Sequence, residues 1–276
     1  MKPPPFDYAR SESVDEALAL VGEHGEEARV IAGGQSLMAM LNMRLLRPSV
    51  LVDIAELGEL SYIKESSGWV EIGATTTQAA LESWPALASR LPLVAAAMPH
   101  IGHLQTRNRG TVCGSLCHAD PSSELPLCLA ALGGQVVLRS RRRKRVLKAK
   151  EFQIGMLTTA KQDDEIMVAA RYPVAQKGFG YAFRELSRRH GDFAIVALAA
   201  VAGGGKIRLG VGGVAEAPTV REWDDRLKDE DLVDTLNDFA WELRGSDDIH
   251  ATARYRREMV RRLGKKVIEE ARRCAS

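Results

Sequence analysis

The chain has 276 residues, 45% of them hydrophobic, 27% charged and 5% aromatic, a composition that excludes disordered, collagen-like and coiled-coil classes and supports a buried core. Its 38 Lys and Arg nearly balance 36 Asp and Glu, for a formal charge of +2, so no global field favours nucleic acid or a membrane surface. Four cysteines are too few for a disulfide scaffold and fit a reducing compartment.

At roughly 150 residues per domain, two domains are the prior, with one or three as alternatives. The stretch Met1 to Asp7 has no apolar core of a signal peptide. The longest apolar stretch, Phe193 to Ala202, is about half of the ~20 residues that span a bilayer. A cytoplasmic protein is the expectation.

In chain order, Ser13-Val14-Asp15-Glu16 reads as a capping box opening a helix with Val14, Ala17, Leu18 and Val21 on one face, punctuated by Gly22 and Gly25. Ala28 to Ala32 is a strand and Gly33-Gly34-Gln35-Ser36 a turn. A helix carrying Leu37, Met40, Leu41 and Leu45 follows, then a strand at Leu51 to Ile54; together these make a βαβ unit. Trp69 to Ala74 is a strand, Thr77 caps a helix through Leu81, Leu91 to Met98 is an apolar helix, and His100 to Ser115 is a polar, glycine-bearing loop. Asp120-Pro121 reads as an N-cap followed by Pro at the first helical position, opening a helix through Leu132 that Gly133-Gly134 ends. Gln135 to Arg139, Ile166 to Tyr172, Gly180 to Leu186, Ala194 to Ala202 and Ile207 to Val214 are strands or short helices. Two helices close the chain, one striped by Leu232, Leu236, Phe239, Ala240 and Leu243, the other by Tyr255, Met259, Leu263 and Val267. A composition shift over Pro173 to Gly178 marks a domain boundary.

Two glycine-bearing segments carry the chemical signal. Ala32-Gly33-Gly34-Gln35-Ser36 places unpaired backbone amides at a helix N-terminus, where phosphate is attracted; a tight turn with Ser36 as cap explains the same residues. Arg107 to Leu116 is a second such loop, and two facing loops would clamp a pyrophosphate. Neither is the G-x-G-x-x-G or G-x-x-x-x-G-K-[ST] pattern, so a pyrophosphate cofactor is not held in the Rossmann manner.

These residues resemble a family. "RNRGTVCGSLCHADPSSELP" (Arg107 to Pro126) is similar to the second flavin loop of the FAD-binding medium subunit of molybdenum hydroxylases, the group of carbon monoxide, xanthine and nicotine or caffeine dehydrogenases. Ala32 to Leu37 resembles its first flavin loop, and "SRRHGDFAIV" (Ser187 to Val196) and "DIHATARYRR" (Asp248 to Arg257) resemble two further blocks. Cys113 stands where the family has glycine, Cys117 where small residues are common, and Arg141 to Arg145 where a glycine-bearing hairpin tip is usual.

The resemblance implies an α+β chain with a flavin fold of the PCMH/vanillyl-alcohol-oxidase type. Residues 1–57 would form a βαβ subdomain, 58–175 a second subdomain with a mostly antiparallel sheet, and 178–276 a C-terminal domain with a three-stranded sheet and helices. It implies that Ala32, Gly33, Gly34, Gln35, Ser36 and Leu37, with Gly110, Thr111, Val112, Cys113, Gly114 and Ser115, hold the pyrophosphate of FAD. Asp120 would bond a ribityl or ribose hydroxyl. Met167 or Val168, and Arg184 or Lys177, would sit near the flavin ring, with Asp192 and Phe193 flanking it. It further implies electron relay to an external acceptor. The partners would be a large molybdopterin-binding subunit and a small subunit with [2Fe-2S] clusters, in a dimer of heterotrimers. Cys113, Cys117, Cys128 and Cys274 are not spaced like a cluster site in this chain. No acid–base side chain need be essential, since flavin chemistry belongs to the cofactor.

Other features read more plainly. His100-x-x-His103 lacks a clear third ligand, so no metal site is expected. Cys113 and Cys117 read as small core residues. Arg139 to Arg145 suggests a hairpin with a solvated tip, ranked above docking on an acidic partner and well above nucleic acid, because no aromatics interleave with it. The arginines of the last helix, Arg256 among them, read as a solvated face. Two alternatives stay open. One is a self-sufficient flavin oxidoreductase of the enolpyruvyl-reductase kind, against which stand the 248–257 block and the lack of an obvious proton donor. The other is a nucleic-acid-binding protein built around Arg141 to Arg145.

Overall fold

The computed structural model describes residues 2–275. Its first strand, β1 (Asp7–Arg10), escaped the sequence reading because Asp-Tyr-Ala-Arg is mostly exposed and shows no buried face. Helix α1 (Val14–His24) begins where Ser13 Oγ accepts the Glu16 amide at 3.1 Å. The Glu16 carboxylate accepts from the Glu12 amide rather than from Ser13, so the reciprocal half of the expected capping box is displaced by one residue. Val14, Ala17, Leu18 and Val21 are buried, as their spacing required. Strand β2 (Ala28–Ile31), helix α2 (Leu37–Asn42) and strand β3 (Val50–Asp53) form the βαβ unit, and β3 pairs in parallel with both β1 and β2. Leu45 does not extend the α2 stripe. The chain leaves the helix after Asn42, Arg44 takes a left-handed φ of 60°, and Leu45 points to solvent.

The second unit starts with β4 (Ile63–Ser66) and β5 (Trp69–Gly73), followed by α3 (Gln78–Glu82), α4 (Leu87–Arg90), α5 (Pro92–Ala97), α6 (Leu104–Arg109), α7 (Val112–His118) and α8 (Glu124–Leu132). Thr77 caps α3 through the Ala80 amide, as expected. The segment from His100 to Ser115 is not a loop but chiefly α6 and the start of α7. Helix α6 is short and mostly polar with no buried residue, and α7 buries only Val112, Cys113 and Leu116 across seven residues that include Gly114, too short a stripe to be read as a helix. The cap hid in plain view: Thr111 Oγ1 accepts the Gly114 amide at 3.0 Å. The helix expected from Pro121 begins only at Glu124. Asp120 Oδ1 accepts the Ser122 amide at 2.8 Å, which closes an Asx turn around Pro121 and leaves Ser123 as the N-cap residue. Gly133, left-handed at φ 70°, ends α8.

Strands β6 (Gln135–Arg139) and β7 (Lys144–Lys148) make the basic hairpin, and α9 (Ala149–Phe152), the small hairpin β8 (Gln153–Gly155) and β9 (Thr158–Thr159), and β10 (Ile166–Pro173) complete the unit. The sheet runs β4-β5-β10-β6-β7, antiparallel throughout. The basic tip is only partly solvated. Arg145 forks onto the fully buried Glu165 with two 2.6 Å bonds, and Arg139 pairs with Asp15 at 2.7 Å, while Arg141 and Arg142 stay exposed. Burial alone would raise the Glu165 carboxyl, but the Arg145 bonds and the Gln162 amide hold it below the ordinary range.

The third unit is a four-stranded antiparallel meander, β11 (Gly180–Leu186), β12 (Val196–Gly203), β13 (Lys206–Gly212) and β14 (Thr219–Asp224), with helices α10 (Asp229–Glu242) and α11 (Ala253–Ala275). Three strands were expected; β14 went unread because this edge strand is half exposed and packs mainly Trp223 inward. The run Val196 to Ala202 is apolar at every position because both faces of β12 are covered. Ala197, Ala199 and Val201 join the core of the first two units, and Val196, Leu198, Ala200 and Ala202 join the core under α10 and α11. Glycines let the layers close: a Cβ at Gly210 would meet Leu127 of α8 at 2.9 Å, and one at Gly180 would stand 1.8 Å from the Ala271 carbonyl oxygen of α11.

Gly180→Ala should therefore force α11 off β11 and cost about 3 kcal/mol in a urea unfolding midpoint. Gly22→Ala, whose methyl meets nothing within 4 Å, should instead stabilise α1 by about 0.8 kcal/mol.

Candidate cofactor site

The two glycine segments meet. A Cβ at Gly33 would lie 2.0 Å from the Arg109 carbonyl oxygen and 2.8 Å from Gly110 Cα, so the turn after β2 touches the end of α6 backbone to backbone. Such an approach admits glycine alone. Gly34 takes φ 70° and turns the chain into α2. No amide from Gly33 to Ser36 donates to a backbone acceptor among the described residues, and Ser36 Oγ makes no capping bond. Beside this contact opens a cleft of about 400 Å³ lined by Ala32, Gly33, Gly34, Gln35, Asp53 and Arg109, among others. Unpaired amides and an exposed guanidinium on its walls suit an anion.

The second segment is held from beneath by the turn leading into α3. The Gln78 amide donates to the Gly110 carbonyl at 2.8 Å and the Val112 amide to the Thr76 carbonyl at 3.1 Å. Arg107 is not solvated: it donates to Glu82 at 2.8 Å and to the Ile101 carbonyl at 3.0 Å, which anchors α6. Gly114 is exposed and Ser115 half-exposed on α7, and the Thr111 and Cys113 amides remain uncommitted among the described residues. Cys113 in place of a glycine leaves this backbone open, because its side chain turns inward and its thiol lies 3.6 Å from the Ile72 carbonyl oxygen. Burial raises both thiols, Cys117 to about 11, so they are protonated packing groups at neutral pH. Met167 and Val168 are buried on β10 behind α7 and do not line the cleft: Met167 Sδ is 3.9 Å from Cys117 Sγ, and the Val168 carbonyl accepts the Ala74 amide.

A cluster of acids flanks α7. The sequence singled out Asp120. The structure adds Glu124, buried at the start of α8, and Glu185, near the end of β11. Both Glu185 carboxylate oxygens are buried without a hydrogen-bond partner. Burial raises both carboxyls, and each is raised further by a neighbouring acid: Glu185 by Glu124, and Glu124 by Asp120. Buried acceptors that lack donors suit a polyol, whose hydroxyls donate. Glu124 was legible as a helix-start acid; Glu185 was not, because only the fold brings β11 to α8.

Of the other expected residues, Lys177 sits in the exposed turn between β10 and β11, and Arg184 pairs with Glu270 of α11 at 2.8 Å. Asp192 and Phe193 are exposed on the turn before β12. That turn seats on the segment entering α6, since a Cβ at Gly191 would lie 2.6 Å from the His103 ring. No group of three or more His, Cys, Asp or Glu among the described residues is arranged for a metal ion, and no described helix is long and apolar enough to cross a membrane.

Residues 4–175 match the FAD binding domain in molybdopterin dehydrogenase, and residues 181–271 match the CO dehydrogenase flavoprotein C-terminal domain. The nicotine 6-hydroxylase medium subunit of Paenarthrobacter nicotinovorans is 36% identical over 98% of this chain and 99% of that protein. The caffeine dehydrogenase subunit beta of a Pseudomonas species is 41% identical over 70% of this chain and 66% of that one. A chain of the carbon monoxide dehydrogenase from Hydrogenophaga pseudoflava, solved without the Mo-pyranopterin moiety of its cofactor, superposes with a TM-score of 0.91 at 32% identity over 98% of both chains. The chain belongs to the FAD-binding medium subunits of the molybdenum hydroxylase family, whose members are parts of oxidoreductases.

The acid pair has a pH signature. Its folded-state values lie above the ordinary 4.5, Glu185 reaching about 8, so the folded chain keeps protons that the unfolded chain has lost, and stability falls as pH rises through that window. Glu185→Gln should flatten the fall and gain roughly 1 kcal/mol on the wild type at the upper end, partial solvent access keeping the gain small. Urea unfolding of the cofactor-free chain across the window measures it.

Proposed function

We propose that this chain is the FAD-binding electron-transfer subunit of a multi-subunit molybdenum-containing dehydrogenase. The observation that carries the reading is the backbone contact between Gly33 and Arg109–Gly110, which sets the second segment directly against the first beside the cleft that the first segment and Arg109 line. On this reading Ala32, Gly33, Gly34, Gln35, Ser36 and Leu37 hold the pyrophosphate from one side, and Gly110, Thr111, Val112, Cys113, Gly114 and Ser115 from the other. Arg109 supplies a cation at the rim. Asp120 accepts a hydroxyl of the sugar portion, with Glu124 and Glu185 as further acceptors, in keeping with the orphaned Glu185 oxygens. Met167 and Val168 back α7 from within the core, and Asp192 and Phe193 border the ring. The position of Lys177 and the Glu270 pairing of Arg184 make these two outer-rim residues.

When bound, FAD supplies the redox chemistry, accepting electrons and passing them to an external acceptor; the protein orients it and tunes its potential. The partners are a large molybdopterin-binding subunit and a small [2Fe-2S] subunit, assembled as a dimer of heterotrimers. The relatives named medium subunit and subunit beta support a multi-subunit setting.

Titration of the purified chain with FAD tests the site. Gly33→Ala should weaken binding about tenfold or more, because its methyl drives the two segments apart, and unchanged affinity would place the pyrophosphate elsewhere. The division of labour is tested separately. The FAD-loaded chain, reduced with dithionite, should reduce an acceptor dye yet leave purine and pyridine substrates untouched. Turnover of an N-heterocycle by the chain alone would refute it.

A further inference from the structure

Arg256 belongs to the one sequence block, Asp248 to Arg257, that the cofactor site does not explain. It is not part of a solvated helix face. Its side chain is 5% exposed, and its guanidinium spans a junction. One terminal nitrogen donates to the Ile195 carbonyl at 2.6 Å and to the Gly213 carbonyl at 2.7 Å, and the other to Asp248 Oδ2 at 2.6 Å. The rest of the block prepares this fork. Asp248 Oδ1 accepts the His250 and Ala251 amides at 2.8 and 2.9 Å, which aims the second carboxylate oxygen at Arg256, and Thr252 Oγ1 accepts the Tyr255 amide as α11 begins.

The two carbonyls lead in different directions. Ile195 follows directly on the turn that carries Asp192 and Phe193, and its amide bonds the Leu186 carbonyl, closing that turn at its base. Gly213 is left-handed at φ 77°, and its amide donates at 2.7 Å to the Pro121 carbonyl, beside Asp120. The guanidinium thus ties the base of the 187–194 turn to Gly213, whose own amide carries the link on to the Asp120 turn of another unit. Arg256 Nε is buried without an acceptor, a cost that an apolar residue of like volume would avoid.

We propose that Arg256 is a positioning residue that locks the 187–194 turn to the Asp120–Pro121 turn, and so sets the spacing of the two structures that border the cofactor. Its effect on the cofactor rests on the FAD reading above; the lock itself does not.

Hydrogen exchange on the cofactor-free chain reads the lock. Arg256→Met should speed exchange of the Ile195 and Gly213 amides about tenfold, because each residue's carbonyl loses a charge-assisted hydrogen bond and the amide bonds to Leu186 and Pro121 open more often, while amides of α1 and β5 keep their wild-type rates. Arg256→Lys, which reaches fewer acceptors, should fall between. FAD titration then reads the positioning: Arg256→Met should weaken binding about tenfold and blur the vibronic structure of the flavin absorption band, with Lys partly restoring both. Wild-type exchange at the two amides, or a uniform rise across the whole chain, would overturn the lock. Unaltered affinity and spectrum alongside loosened amides would overturn the positioning role. Should Arg256→Met not fold, Asp248→Asn, which leaves the guanidinium in place with a weakened partner, is judged by the same two amides. Should the wild-type chain take up no FAD, the cofactor reading falls while the exchange result still decides the lock.

Discussion

The architecture turns on one contact between backbones. Gly33 lies in the turn after a parallel strand and Arg109 ends a short helix, and the distance between them leaves no room for a methyl group. Every other feature of the cleft follows from that approach. It puts the unpaired amides of the first turn beside the exposed Arg109 and next to the start of α7. It also explains the pair of backbone bonds that tie Gln78 to Gly110 and Val112 to Thr76. A segment pressed this closely against another needs support from below, and the turn into α3 provides it.

The same economy of side chains governs the larger packing. Strand β12 has no polar face because α8 lies over one side and α11 over the other, and the two hydrophobic clusters interleave along it residue by residue. Gly210 and Gly212 of β13 let α8 lie close, and Gly180 does the same for α11. The C-terminal unit therefore packs onto the first two: β11 sets Glu185 beside Glu124, and the turn before β12 rests on His103.

Charge inside this frame is arranged by pairing where it is structural and left unpaired where a ligand fits. Glu165 is fully buried, yet Arg145 answers each of its oxygens and the Gln162 amide bonds one of them again. Glu185 is less buried and has no such answer. Two carboxyls raised by burial and by neighbouring acids do not stabilise a fold, and they make sense as partners for hydroxyls that arrive with a ligand.

Much of this was legible in the residues. Apolar spacing located α1, the βαβ unit, β5 and the two closing helices, and glycines marked the two segments that touch at Gly33 and Gly110, because periodicity and φ preferences are local properties. Helices α6 and α7 were not legible, since the mostly polar α6 carries no stripe, the apolar face of α7 spans little more than one turn, and both lean on Arg107, Thr111 and the turn beneath them. The start of α8 was misplaced because an Asx turn at Asp120 and an N-cap share one residue preference. Edge strands β1 and β14 were missed for want of a buried face.

What the sequence determined by itself was the family, the fold class and which segments bear amides for an anion. The tertiary structure decided which of those segments touch, that Cys113 turns inward, that Glu185 stands by Glu124, and that Arg256 is a buried fork rather than a surface charge. The division has a physical cause: conformation along the chain is set by neighbours within a few residues, whereas burial and pairing depend on which distant surface comes to rest on each side chain.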